Sequence, residues 1–211
     1  MKIVVTMSRP EELARRLEAC GHEVAICPLI RIESLGDEPV DVSGYDWVVL
    51  TSVHGARELR RRLRGEPARV AAIGRATAEA FGHADLVPRV STQEGLLEEL
   101  PSPSGRVLFA GAEGARRLLV DALGADFRAL YRTVPLRPER FPDGDLAVVA
   151  SPSAVGALAD LGVDIPVVSI GPQTTAAASE AGLRVVAEAE RPDAESVLAA
   201  ISRLPPCSSR S

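Results

Sequence analysis

The sequence predicts an α/β protein with two parallel five-stranded sheets, and three observations carry that prediction. Short, β-rich apolar runs alternate with segments of helical period along the 211 residues, which is the pattern of repeated strand–helix–strand units. Parallel sheets of this kind are covered by helices on both faces. The pattern then recurs within the chain, so the strands divide into two sets.

Strands are expected at 2–6, 23–27, 46–51, 69–73, 85–87, 106–110, 127–131, 145–150, 166–170 and 184–187. A helix over 10–20 carries Leu13, Leu17 and Cys20 on one face and stops at Gly21, a residue suited to the position after a helix end. A second, over 92–100, follows Ser91 and Glu94, which have the spacing of a capping box. A third, over 114–123, presents Leu118, Leu119, Ala122 and Leu123. The last begins near Asp193 and packs Val197, Leu198 and Ile201. In the run from Arg57 to Arg64, Leu59 and Leu63 share the buried stripe of a helix and leave the arginines on a solvated face. Residues 205–211 have nothing to bury and are expected to be disordered.

The repeat has a long unit and a short one. Asp46–Ser52, a helix and Val70–Ala78 match Leu146–Ser153, a helix and Val167–Thr174. Ile3–Thr6 with helix 10–20 and strand 23–27 matches Val107–Ala110 with helix 114–123 and strand 127–131. Pro28–Ile32 and Leu130–Leu136 each prolong a strand, and the two are expected to pair as a bridge. On that pairing, residues 1–31 with 143–204 form a discontinuous α/β domain, 41–130 an inserted one, and 31–40 and 131–142 the linkers.

Composition narrows the function. With 46% hydrophobic and 25% charged residues the chain is that of a soluble globular protein. Aromatic residues are only 3% and net charge is −5, so neither base stacking nor bulk attraction suits a nucleic-acid partner. No apolar run approaches the ~20 residues of a membrane span, and Met1–Thr6 is too short for a signal-peptide core. Cys20, Cys27 and Cys207 read as reduced thiols of a cytoplasmic protein. No long apolar surface stripe stands out, and a monomer is expected. Lys2 is the only lysine, so 23 of the 24 basic residues are arginine, whose fork matches carboxylates and phosphates.

Ligands of open α/β sheets bind at the carboxyl ends of strands. The corners there are Ser8-Arg9, Thr51-Ser52-Val53-His54-Gly55, Gly74-Arg75-Ala76-Thr77, Gly111-Ala112-Glu113-Gly114, Ser151-Pro152-Ser153-Ala154 and Gly171-Pro172-Gln173-Thr174. Their hydroxyls and amides serve as helix caps or as an anion cradle. The Gly-x-x-Thr pair, one copy per domain, suggests two similar cradles facing one cleft. No phosphate-binding P-loop, no dinucleotide fingerprint and no metal-ligand spacing is present. Among the histidines, His54 alone lies in such a corner, whereas His22 and His83 follow helix ends, where a cation suits the dipole. The residues show no constellation for nucleophilic or strong acid/base catalysis.

Thr51-Ser52-x-x-Gly55, Val70-x-x-Ile73-Gly74-x-x-Thr77-Ala78, Tyr131-Arg132-Thr133, Ser151-Pro152-Ser153-Ala154 and Ile170-Gly171-Pro172-x-Thr174 resemble, in order and rough spacing, the uroporphyrinogen-III synthase family. The resemblance runs from Met1 to about Leu204. It implies two flavodoxin-like domains joined by a two-stranded ladder, and a lyase that uses no cofactor or metal. The reaction implied is closure of linear hydroxymethylbilane to uroporphyrinogen III, with loss of water and inversion of ring D. The pyrrole nitrogen expels the hydroxyl to form an azafulvene cation, a spiro intermediate follows, and the enzyme's task is to orient ring D. Tyr131 matches the tyrosine proposed to assist hydroxyl departure. Arg9, Thr51, Ser52, Gly74, Thr77, Ser151, Ser153, Gly171 and Thr174 are the candidate substrate-binding residues for its eight carboxylates. The N-terminal corner departs from the family, reading Thr6-Met7-Ser8-Arg9-Pro10 where many relatives have Thr-Arg-Pro directly after the strand. The alternatives are a two-domain small-ligand binding or sensor protein and a regulatory domain that kept the fold without the activity.

Overall fold

The computed structural model describes residues 1–102 and 104–205. Cys207 and most of the tail expected at 205–211 lie outside the described residues. The chain starts with β1 (Lys2–Val5), α1 (Glu11–Ala19) and β2 (Glu23–Ile26), then runs along β3 (Ile30–Ser34). Next come β4 (Val40–Asp41), β5 (Trp47–Leu50), α2 (Val53–Arg62), β6 (Leu63–Arg64), β7 (Val70–Ala72), α3 (Arg75–Phe81) and α4 (Gln93–Glu99). They are followed by β8 (Val107–Ala112), α5 (Leu118–Leu123) and the long β9 (Asp126–Pro135). The chain finishes with β10 (Leu146–Val149), α6 (Pro152–Ala159), β11 (Val167–Ser169), α7 (Pro172–Glu180), β12 (Val185–Glu188) and α8 (Ala194–Ser202).

Two compact units result, one of Met1–Arg31 with Val134 onward and one of Ile32–Thr133. Both crossing points fall inside strands, β3 and β9. Leu35 N–H donates to the Leu130 carbonyl at one end of this pair, and Leu136 N–H to the Leu29 carbonyl at the other. Partners that run in opposite order make the ladder antiparallel.

The first unit holds a five-stranded sheet in the order β12-β11-β10-β1-β2, with every pair parallel. Its three central strands, β11, β10 and β1, are buried on both faces. Ile3, Val5, Leu146 and Val148 pack on one side with Leu13, Leu17, Val197 and Ile201. Val4, Ala147 and Val149 pack on the other with Val155, Leu158 and Ala178. Helix α1 ends as its glycine requires. Gly21 has φ 81°, and His22 N–H reaches back to the Leu17 carbonyl at 3.1 Å. Asp193 caps α8 through Ser196 N–H.

The second unit holds a sheet in the order β3-β9-β8-β5-β7. Strands β9, β8, β5 and β7 are mutually parallel. Val48, Leu50, Leu108 and Ala110 face one core; Trp47, Val49, Val107 and Phe109 face the other. The fifth strand here is β3, not the expected 85–87. Leu86 makes only an isolated bridge to Ala71, because Pro88 has no N–H with which to extend an edge. A small parallel pair, β4 with β6, was not expected.

Three helix details differ from expectation. Thr92, not Ser91, caps α4 by accepting from Gly95 N–H at 3.1 Å. Helix α5 starts at Leu118 rather than 114, since Ala115 N–H first closes a turn on the Ala112 carbonyl. Helix α2 stops at Arg62, and Leu63 leaves it to pair with Val40. Arg62, expected in solvent, is only 3% exposed and donates from Nε to the Glu38 carbonyl at 2.8 Å. A guanidinium at a helix C-terminus is favoured by the dipole.

His22 also differs, because burial, with the N-terminal amine nearby, pushes its pKa down and disfavours the cation expected there. Cys20 is exposed and Cys27 buried, and both are free thiols. Among the described residues no helix is long and apolar enough to cross a membrane.

Several surface carboxyls are held below their usual range. Arg16 and Arg15 do this for Glu12, the Ser43 N–H for Asp41, Arg116 for Glu94 and the Ser196 N–H for Asp193. A carboxyl whose folded pKa is depressed stabilises the fold above its unfolded pKa, and that contribution is lost as pH falls through the folded value. Melting temperature is therefore expected to be flat on the acid side of neutrality and to fall below about pH 4. A thermal-denaturation series in which acid raises the melting temperature would contradict these partners.

Candidate active site

Parallel strands gather their carboxyl ends at one edge. In the second unit β5 connects through α2 to β7 on one side, and β8 connects through α5 to β9 on the other. The connections diverge between β5 and β8, where a sheet of this order opens a crevice. Thr51 and Ser52 leave β5 at that point. One strand beyond β8, Tyr131 pairs with Ala112, and the Glu113 N–H donates to its carbonyl at 2.8 Å.

Ser52 holds the corner together. It is the N-cap of α2, with φ −159° and ψ 151°, and its Oγ accepts from Gly55 N–H at 3.0 Å. The same Oγ lies 2.8 Å from the Tyr131 phenolic oxygen. The His54 ring packs on Tyr131 with centroids 5.9 Å apart, tilted by 57°. Gly55 explains the spacing of the Thr-Ser-x-x-Gly motif. A Cβ there would meet Ser52 Oγ at 3.1 Å, the Ala110 carbonyl at 3.4 Å and Gly111 Cα at 3.5 Å. Its absence lets α2 sit close on the end of β8.

Tyr131 is 6% exposed. Burial pushes its pKa up, and the Ser52 hydrogen bond opposes that in part. The phenol is thus a neutral donor at physiological pH. Thr51 is half-buried and makes no side-chain hydrogen bond among the described residues.

The next corner, after β7, corrects an expectation. The cap of α3 is Gly74, with no side-chain cap bond. Thr77 stands at the third helical position, where its N–H donates to the Gly74 carbonyl at 3.0 Å. It is buried, and its hydroxyl has no side-chain hydrogen bond among the described residues. The copy in the first unit repeats this. Gly171 caps α7, Thr174 N–H donates to its carbonyl at 3.0 Å, and Thr174 is buried. Neither threonine is a cap, because the glycine three residues earlier holds that place.

In the first unit the connections diverge between β1 and β10. Ser151 follows β10 and caps α6 by accepting from Ala154 N–H at 3.2 Å. Ser153 is exposed one residue inside the helix from Pro152. Arg9 follows β1, is exposed and forms no ion pair among the described residues.

One polar chain escaped the sequence reading. Ser169 Oγ lies 2.5 Å from Thr175 Oγ1, which donates to the Glu188 carboxylate. The signal available was a serine, fully buried, closing an otherwise apolar strand. The candidates therefore fall into two groups. Thr51, Ser52, Gly74, Thr77 and Tyr131 belong to one unit, and Arg9, Ser151, Ser153, Gly171 and Thr174 to the other. Among the described residues no group of three or more His, Cys, Asp or Glu could hold a metal ion.

The family model described as HEM4, uroporphyrinogen-III synthase HemD, matches residues 11–199. The chain is 27% identical to the uroporphyrinogen-III synthase of Synechococcus elongatus, over 90% of this chain and 89% of that protein. It is 32% identical to a provisionally named uroporphyrinogen-III synthase of Archaeoglobus fulgidus, over 87% of this chain and 91% of that one. The crystal structure of a mutant uroporphyrinogen III synthase from Thermus thermophilus shares the fold, with a TM-score of 0.70 and 19% identity, over 96% of this chain and 98% of that chain. Ordered corner motifs, doubled parallel sheets and a family match over most of the length lead to one conclusion: the chain belongs to the uroporphyrinogen-III synthase family, lyases that cyclise hydroxymethylbilane.

Proposed function

We propose that this chain closes hydroxymethylbilane by orienting it, with the Tyr131 phenol as the one proton donor to the departing hydroxyl. The observation that carries this reading is the phenol itself. It is buried, neutral and hydrogen-bonded to the capping Ser52 where the connections of its sheet diverge. The pyrrole nitrogen lone pair expels the hydroxyl and leaves an azafulvene cation. A phenol in reach lets that oxygen leave as water. The substituted carbon of ring D then attacks, and holding it there is an effect of orientation with a high ceiling.

The substrate is a linear tetrapyrrole with eight carboxylates, and each unit carries groups suited to them. In one, Ser151 and Ser153 open α6, the Gly171–Thr174 corner opens α7, and Arg9 has a guanidinium fork with no ion pair among the described residues. In the other, Thr51 and Thr77 offer hydroxyls with no side-chain hydrogen bond among the described residues, and Gly74 opens α3. This reading needs no cofactor and no nucleic-acid or membrane partner, and it places the protein in the cytoplasm as a monomer. The net charge of −5 supports the absence of a nucleic-acid partner.

Incubation with freshly generated hydroxymethylbilane, followed by separation of the uroporphyrin isomers, tests the activity. Isomer III in excess is expected. Isomer I alone, at the rate of the reaction without protein, overturns the reading. Thr77→Val and Thr174→Val test the binding corners. Since neither buried hydroxyl has a hydrogen bond among the described residues, each variant is expected to lose no folding stability while product affinity falls severalfold. Unchanged affinity by calorimetry would remove that threonine from the site.

A further inference from the structure

We propose that Ser52 is a positioning residue which donates its hydroxyl to the Tyr131 oxygen as the phenol gives up its proton, linking the phenolate to the N-terminus of α2. This rests on the reading of Tyr131 as proton donor. It also reassigns Ser52, which the family resemblance made a substrate ligand.

A serine hydroxyl has one proton and two acceptor sites. Gly55 N–H, at 3.0 Å, occupies one acceptor site, and the phenolic oxygen is the other neighbour, at 2.8 Å. Among the described residues Ser52 Oγ has no third side-chain or backbone partner. While Tyr131 is protonated, either oxygen is able to donate. A phenolate has no proton, so once the transfer has occurred only Ser52 can donate. The lone pair facing Gly55 stays engaged throughout. Ser52 therefore keeps α2 capped while its proton follows the charge on Tyr131.

Burial makes that charge costly. Tyr131 is 6% exposed, and its surroundings disfavour the ionised form. The N-terminus of α2, ten residues long, carries positive potential, and Ser52 is the link between its first turn and the phenol. A donor preset where negative charge develops is the usual source of transition-state stabilisation.

The step balances. The phenolic O–H bond breaks and its proton joins the departing hydroxyl oxygen. The C–O bond breaks with its electron pair on that oxygen, giving water. The pyrrole nitrogen lone pair fills the vacated carbon. The proton that ring D loses after closure restores the phenol.

The test uses Ser52→Gly, Ser52→Thr and Tyr131→Phe in the full chain. Glycine serves as an N-cap nearly as well as serine, so Ser52→Gly removes the donor and keeps the helix. The chain has two tyrosines. In a Tyr45→Phe background, the ultraviolet absorbance of phenolate therefore reports Tyr131 alone.

Ser52→Gly is expected to move that titration up by about one pH unit and to lower kcat roughly tenfold with KM little changed. Ser52→Thr is expected to restore both, and Ser52→Gly is expected to have no further effect on Tyr131→Phe. An unmoved titration, or an equal loss of rate in the Tyr131→Phe background, overturns the inference. Full activity of Tyr131→Phe itself overturns the prior reading instead. The titration, which needs no substrate, tells the two failures apart.

Discussion

Tyr131→Phe is expected to lower kcat roughly 100-fold while leaving KM and product affinity nearly unchanged. The expected size is set by what the phenol has to do. The substrate's own nitrogen drives the hydroxyl out, so the enzyme adds only a proton at the oxygen, which is general-acid help. The phenol is buried, and its oxygen shares a hydrogen bond with Ser52. Replacement by phenylalanine keeps the ring against His54 and the surrounding core. The change removes one hydrogen bond, about 1 kcal/mol of stability, and no packing. Initial rates of uroporphyrinogen III formation, set beside product affinity, check it. A rate equal to that of the parent chain makes Tyr131 a packing residue and removes the proton donor.

Phe109→Ala should have the largest effect on stability, about 3–5 kcal/mol. Phe109 is fully buried on the central strand β8 of its sheet. It packs at a tilt of 52° against Phe127 with centroids 5.3 Å apart, and its ring edge lies 3.2 Å from where a Cβ on Gly111 would stand. Truncation removes the ring that fills the space beside Gly111, and backbone held in a parallel sheet is slow to collapse into the hole. Because the chain divides into two compact units, the loss is expected as an early transition of the Ile32–Thr133 unit in calorimetry. A single melting transition shifted by less than about 1 °C would mean that the site repacks.

Much of the fold could be read from residue pattern. Runs such as Ile3-Val4-Val5 and Trp47-Val48-Val49-Leu50 have apolar side chains on both faces, and both faces are buried. Gly21 after α1 and Asp193 before α8 are local signals whose geometry depends on neighbours a few residues away. Pairing was less legible. Residues 85–87 are as apolar as a strand, yet Pro88 leaves them one bridge, and β3 takes the fifth place in that sheet. Arg62 lies in a run that looks wholly solvated. It is buried because α2 ends there and the chain turns into β6.

The site divides in the same way. Sequence by itself determined that hydroxyl and glycine corners follow the strands, because a strand–helix turn needs small residues and caps within a few positions. It did not determine that Gly74 and Gly171 hold the caps while Thr77 and Thr174 stand buried behind them. Nor did it show that Ser52 and Tyr131, 79 residues apart, share a hydrogen bond. That contact depends on the order and register of β5, β8 and β9, and a shift of one residue would turn the tyrosine to the other face. Periodicity records which face of an element is buried; only the packed sheet decides which side chain waits on the neighbouring strand.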